Sequence, residues 1–237
     1  MTTDPFVGAA APPGAKPARE ARVWLLGGLL ALLLRLRHTS WRKNVAELAA
    51  IDRRLAAGER VLAVFWHGNY VPLFSLLSGR KACVFASDSF RGRVIAEICR
   101  RFGYACVLLP DRAGRRAREL LRAGLAPHRA GALAVDGPLG PYHVVKSGAI
   151  EFASELGFQL VPVAVASSRS QVDHERWDRM EIPRLFSRVH LAVGEPVPVP
   201  RVLDPAVVSA LQAEVARSLN EVTTRARAEL GLPPTQD

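Results

Sequence analysis

The 237-residue chain lacks several features that would assign it to a common class. It has only three cysteines (Cys83, Cys99 and Cys106), and no C-x-x-C spacing, which argues against a disulfide framework and a cysteine metal site. We expect them to be small buried residues in a protein of a reducing compartment. The longest uncharged apolar run, residues 23–34, has twelve residues, whereas an upright membrane span needs about 20. No metal site is predicted.

Acidic residues are also scarce, 22 against 32 basic ones, which leaves a formal net charge of +10. Such a balance suits an anionic partner: nucleic acid, an anionic membrane surface or a phosphate-bearing substrate. The chain has no basic-aromatic recognition motif, so no nucleic-acid partner is expected.

The N-terminal region divides into two segments. Residues 1–20 are rich in Pro, Ala and Gly and are predicted to be a disordered tail. Residues 21–43 combine the apolar run with flanking tryptophans and cations, which predicts a helix associating with a membrane surface. These flanking residues are Trp24, Trp41, Arg35, Arg37, Arg42 and Lys43. The alternative is a buried core helix of a soluble protein.

The remainder alternates between short apolar strands and amphipathic helices. This pattern predicts an α/β fold: a single domain over residues 44–231 with a mostly parallel central sheet flanked by helices, preceded by the apolar N-terminal helix and followed by a tail over 232–237. The predicted strands are Val61–Phe65, Ala82–Ala86, Ala105–Leu109, Gly131–Val135, Gln159–Ala166 and Val189–Val193.

Polar residues follow four of these strands directly. Ligands of open α/β sheets bind outside the carboxyl ends of the strands, where this chain carries His67, Asp88, Asp136 and the pair Asp111/Arg112. Imidazole is well suited to proton transfer near neutral pH, so His67 is the candidate base. A structural histidine at a strand end is the alternative.

Two further segments could bind an anion at this edge. Asp136-Gly137-Pro138 begins a stiff loop that leads to Lys146 and a helix start, where free backbone N–H groups attract anions. A rigid turn without a ligand is the alternative. Arg112 and Arg115 lie near the start of another helix, where guanidinium groups could bind phosphate in fork geometry.

Four segments in this order resemble the lysophospholipid acyltransferase superfamily, and more closely a bacterial subgroup of unknown function. They are FWHGNYVPLF, ASDSFRGRVIAEICRRFGY, AVDGPLGPYHVVKSGAIEFASELGFQLVPVAV and RWDRMEIPRLFSRVHLAVGEPVPVP, within residues 60–200. The superfamily carries an acid five residues after its histidine, whereas this chain has Pro72 there. No chemical role follows for Trp177 and Asp178, which are expected in a packed surface loop. The alternatives are that their segment shapes the acceptor pocket or lies against lipid.

The resemblance implies transfer of a fatty acyl group from a thioester, either acyl-CoA or acyl-carrier protein, to a hydroxyl of a lysophospholipid or other lipid. His67 would be the general base, oriented by Asp88 or Asp136, with a slight preference for Asp88. Arg112, Arg115, Lys146, Gly137 and Pro138 would bind substrate or its phosphate. The thioester is a cosubstrate, no tightly bound cofactor is expected, and the protein would lie on the cytoplasmic face of the inner membrane. A non-catalytic lipid-binding protein on the same fold is the alternative.

Overall fold

The computed structural model describes residues 17–110 and 114–234. The helices are α1 (Pro17–Ser40), α2 (Leu48–Ala56), α3 (Tyr70–Leu76), α4 (Phe90–Arg101), α5 (Arg115–Leu125), α6 (Gly148–Leu156) and α7 (Pro205–Ala228). The strands are β1 (Arg42–Asn44), β2 (Val61–Phe65), β3 (Cys83–Ser87), β4 (Ala105–Leu109), β5 (Ala130–Ala134), β6 (Gln159–Ser167), β7 (Ser170–Val172), β8 (Glu181–Pro183) and β9 (Arg188–Val193).

Seven strands form one sheet in the order β1-β9-β6-β2-β5-β3-β4. The five strands from β6 to β4 are parallel, β9 pairs antiparallel with β6, and β1 pairs parallel with β9. The predicted α/β architecture with a mostly parallel sheet is therefore confirmed. Strands β7 and β8 form a separate antiparallel hairpin that the sequence patterns did not predict.

Strand β2 lies at the centre of the sheet, between β6 and β5. All of its residues are apolar, which favours this position, and all of them are buried there. Its side chains alternate between two hydrophobic clusters, as the two-residue period of a strand requires. Val61, Ala63 and Phe65 face the cluster that α1 to α4 cover, and Leu62 and Val64 face the cluster that α5 to α7 cover. The sheet thus has helices on both faces. The carboxyl end of β2 lies at the edge where the parallel strands end, which the helices on the two faces leave uncovered.

The N-terminal helix α1 starts earlier than expected, since Pro17 already belongs to it although residues 17–20 were predicted as tail. It ends at Ser40, and residues 42–44 pair with β9 rather than extending the helix. Ala31 and Leu34 bury one face of α1, where an added Cβ on Gly27 would lie 2.6 Å from Glu97 Cγ of α4. The other sides expose leucines. Within the described residues, no helix is both long and apolar enough to cross a bilayer.

Candidate active site

His67 lies two residues after the end of β2, at the start of a short 3₁₀ turn, His67–Asn69, that runs into α3. Its side chain is 24% exposed, so the imidazole is held by its neighbours but still open to a ligand. Because His67 lies between a buried strand and a helix, its backbone is held in place, as a proton acceptor requires.

The imidazole contacts a carboxylate that lies 111 residues further along the chain. Nδ1 of His67 is 2.6 Å from Oδ2 of Asp178, whose side chain is fully buried. An ionised carboxylate can only accept, so Nδ1 carries the proton and Nε2 of the neutral ring keeps a lone pair. The pair has the arrangement of a general base with its orienting acid.

Arg176 keeps Asp178 charged despite its burial. Nε and Nη2 of Arg176 donate to the two carboxylate oxygens at 2.8 and 2.7 Å. Burial alone would raise the pKa of Asp178, but the hydrogen bonds from Arg176 and His67 outweigh it and hold that pKa below its ordinary value. The carboxylate is therefore available to the imidazole at neutral pH.

Asp136, one of the two predicted orienting acids, binds the backbone of His67 and not its ring. Oδ1 accepts the backbone N–H of His67 at 2.8 Å, and Oδ2 accepts that of His143 at 3.4 Å. Burial raises the pKa of Asp136, and the hydrogen bond from His67 opposes that rise only in part. Asp136 thus joins the end of β2 to the loop that follows β5.

Two glycines allow three chain segments to meet around the imidazole. A Cβ on Gly68 would lie 2.4 Å from the carbonyl oxygen of Asp178, and one on Gly137 would lie 2.6 Å from Cδ2 of His67. Neither distance is compatible with a side chain, so glycine is required at both positions for this close approach. Trp177 also packs beside the imidazole, with its ring centroid 5.1 Å from that of His67.

Lys146 stabilises the loop after β5 from within. Its Nζ donates to the carbonyl oxygen of Gly137 at 2.9 Å, and its backbone N–H donates to that of Val135 at 2.8 Å. Pro138 follows Gly137 through a cis peptide bond. An ammonium group has three donors, so this contact leaves Lys146 capacity for an anion.

The remaining predicted residues lie away from this contact. Asp88, the preferred partner of His67, pairs instead with Arg93 at 2.5 Å and is half exposed. Arg115 has a side chain that is 94% exposed, with Glu119 3.6 Å away. Arg112 lies outside the described residues. The structure therefore brings together His67, Asp136, Gly137 and Lys146, but not Asp88 or Arg115.

The sequence patterns missed Asp178 as the partner of His67. The available signal was the segment RWDRMEIPRLFSR, which belongs to the family resemblance but follows no strand of the main sheet. Trp177 and Asp178 stand between two arginines, and this short run has no hydrophobic periodicity that would have predicted a position at the edge of the sheet.

Comparisons with known proteins bear on the fold. No family model matches the sequence. An uncharacterised protein of Rickettsia prowazekii is 26% identical over 141 residues, and the match spans 58% of this chain and 63% of that relative's length. The crystal structure of PlsC, the 1-acyl-sn-glycerophosphate (LPA) acyltransferase of Thermotoga maritima, matches with a TM-score of 0.50 and 18% identity over 92% of this chain and 83% of that one. The chain therefore shares its fold with that acyltransferase.

Proposed function

We propose that the protein transfers a fatty acyl group from a thioester donor to a hydroxyl of a lysophospholipid or another lipid acceptor. The observation that carries the proposal is the contact between His67 and Asp178 at the carboxyl edge of a sheet with an acyltransferase fold. A lipid hydroxyl is a poor nucleophile at neutral pH, and an oriented imidazole that accepts its proton contributes typically 10²–10⁴-fold to the rate.

In this mechanism Nε2 of His67 takes the hydroxyl proton while the oxygen attacks the thioester carbonyl. The tetrahedral intermediate collapses with cleavage of the C–S bond, and the imidazolium returns the proton to the departing thiolate. Asp178 stabilises the imidazolium and keeps the ring in one tautomer. Gly68 and Gly137 let the backbone lie close to the ring, where N–H groups would stabilise the charge that develops on the carbonyl oxygen.

The residues proposed to bind the phosphate of the acceptor or the donor are Lys146 and Arg115, together with Arg112. Lys146 supports this role by its position on the Gly137-Pro138 loop beside the imidazole. Arg115 lies apart from the contact between His67 and Asp178, but its guanidinium at the start of α5 is exposed and accessible to a phosphate. Acyl-CoA and acyl-carrier protein both remain candidate donors.

We further propose that α1 holds the enzyme on an anionic membrane, at the cytoplasmic face of the inner membrane. Support comes from leucines along α1 that are exposed, among them Leu25, Leu29 and Leu36. Exposed apolar helix surface next to cations is typical of helices that lie in a lipid interface.

The decisive experiment measures transfer of a labelled acyl group from each thioester to lysolipid in vesicles by the full-length protein. The His67→Ala variant is expected to lose about 10²–10⁴-fold in turnover while its melting temperature stays close to that of the parent. The matched control is His174→Ala, which removes an exposed histidine near the β7–β8 hairpin and should preserve turnover.

Undiminished acylation by His67→Ala would refute the assignment of the base. Binding of lysolipid by the parent protein without consumption of either thioester would select the non-catalytic lipid-binding alternative.

A further inference from the structure

An exposed apolar corner lies between β8 and β9, in the last part of the RWDRMEIPRLFSR segment. Phe186 is 65% exposed and has a backbone φ of 61°, a conformation that bulky residues rarely adopt. Leu185 beside it is also exposed. Two large apolar side chains exposed side by side form a candidate contact surface, whereas a single one would need no explanation. We call residues 184–187 the corner.

The backbone of the corner is braced by hydrogen bonds. The N–H of Arg184 donates to the carbonyl of Arg169 at 2.9 Å, and the hydroxyl of Ser187 reaches the carbonyls of Arg169 and Arg184 at 2.9 and 2.8 Å. Nη2 of Arg169 donates to the carbonyl of Leu185 at 3.3 Å. These bonds fix the turn that presents Phe186.

The corner abuts the C-terminal end of α1. The N–H of Phe186 donates to Oγ of Ser40 at 3.3 Å, and the N–H of Arg42 donates to the carbonyl of Ser187 at 2.9 Å. Ser40 lies four and seven residues after Leu36 and Leu33, so all three share one side of the helix. Both leucines are exposed. Phe186 therefore extends the exposed leucine stripe of α1 by one more large apolar side chain.

We propose that the corner inserts into the same anionic lipid surface as α1 and forms with it one membrane-binding surface. Cations border the surface: Arg37, Arg42, Lys43 and Arg184, while residues 35–46 and 183–188 contain no acid. Such a border attracts anionic lipid and would repel a second copy of the same patch. The inference rests on the proposed function, because α1 is placed on the membrane there.

The corner also links the lipid surface to the proposed base. Asp178 and Phe186 belong to one short segment, which β8 ties to β7 through three paired residues on each strand. With the corner in the interface and α1 beside it, the contact between Asp178 and His67 is held at a defined depth relative to the acyl chains of the lipid.

The first test measures binding of the full-length protein to vesicles of phosphatidylcholine and phosphatidylglycerol by co-sedimentation. Phe186→Ser is expected to raise the Kd about tenfold, since part of a phenyl group no longer leaves water. The control is Val202→Ser, which removes an apolar side chain that is 83% exposed elsewhere and should change the Kd less than twofold. Both variants should unfold at the temperature of the parent.

Equal binding by Phe186→Ser and the parent, or equal losses in the two variants, would overturn the proposal. His67→Ala should bind vesicles like the parent. If the parent protein binds vesicles but transfers no acyl group from either thioester, the proposed function fails and the membrane surface still stands.

A second test places an environment-sensitive dye at the corner through Phe186→Cys, with Val202→Cys as the matched site. Vesicles should shift the emission of the first dye to shorter wavelength and leave the second unchanged. A shift on raising the protein concentration without vesicles would assign the corner to a second copy of the chain and overturn the proposal.

Discussion

Two stretches of the same sheet edge carry similar residues but differ in what surrounds them. At the ends of β2 and β5, His67, Asp136 and Asp178 are joined by hydrogen bonds, and both carboxylates are buried. Next to them, at the end of β3, Asp88 is half exposed and pairs with the local Arg93. Polar residues at strand ends are therefore not equivalent. The chemistry is expected where distant segments bury a carboxylate against a titratable ring.

The comparison is tested most strongly by removing the charge of each aspartate in turn. Asp178→Asn should lower kcat by about 10²-fold or more, because the amide neither stabilises an imidazolium nor enforces one tautomer. Asp88→Asn, measured in the same acyl-transfer assay, should stay within about twofold of the parent, since an exposed ion pair contributes little. Similar losses in both variants would remove the distinction between the two stretches.

The close packing around His67 predicts a second large effect. Gly68→Ala should lower the free energy of unfolding by about 1–3 kcal/mol, since its Cβ would overlap the backbone carbonyl of Asp178. Gly148→Ala is the control, because its Cβ would meet only an ordinary contact, with Phe152 at 3.9 Å. Chemical denaturation measures both. If Gly68→Ala leaves the free energy of unfolding unchanged, the two segments do not need this close contact.

Arg176 should act as a positioning residue through the charge of Asp178. In Arg176→Gln, burial would no longer be opposed by the guanidinium, so the pKa of Asp178 should rise and the acid limb of the kcat/KM profile should move to higher pH. We expect about a tenfold loss near pH 6 that shrinks toward pH 8, with partial recovery in Arg176→Lys. A loss that is uniform across pH would indicate a purely structural role.

The same ion pair predicts a smaller effect on stability. The pKa of Asp178 lies below its ordinary value of 3.8, so the stabilisation is complete well above pH 3.8 and is lost as the pH falls through the depressed pKa. The difference in unfolding free energy between the parent and Arg176→Gln should therefore be largest at neutral pH and narrow as the pH falls. Denaturation curves at several pH values measure it, and a gap that widens toward acid would contradict the assignment.

The fold and half of the candidate site followed from local patterns. The apolar run of β2, its abrupt polar end at His67 and the Gly-Pro loop after β5 are each formed by residues that are adjacent in sequence, so the sequence alone predicted them. The choice of Asp88 failed because neighbours in a sheet are not neighbours in sequence: β5 lies between β2 and β3. Asp178 belongs to a segment beside three-residue strands, which are too short to show a period.

The separation between His67 and Asp178 also has a consequence for biosynthesis. A chain growing on the ribosome exposes the imidazole 111 residues before the aspartate is added. Every nascent chain that ends before Asp178 consequently carries a histidine without this acid, and a long loop must close before the two side chains meet. A site built from such remote halves is assembled only after most of the sheet has been synthesised.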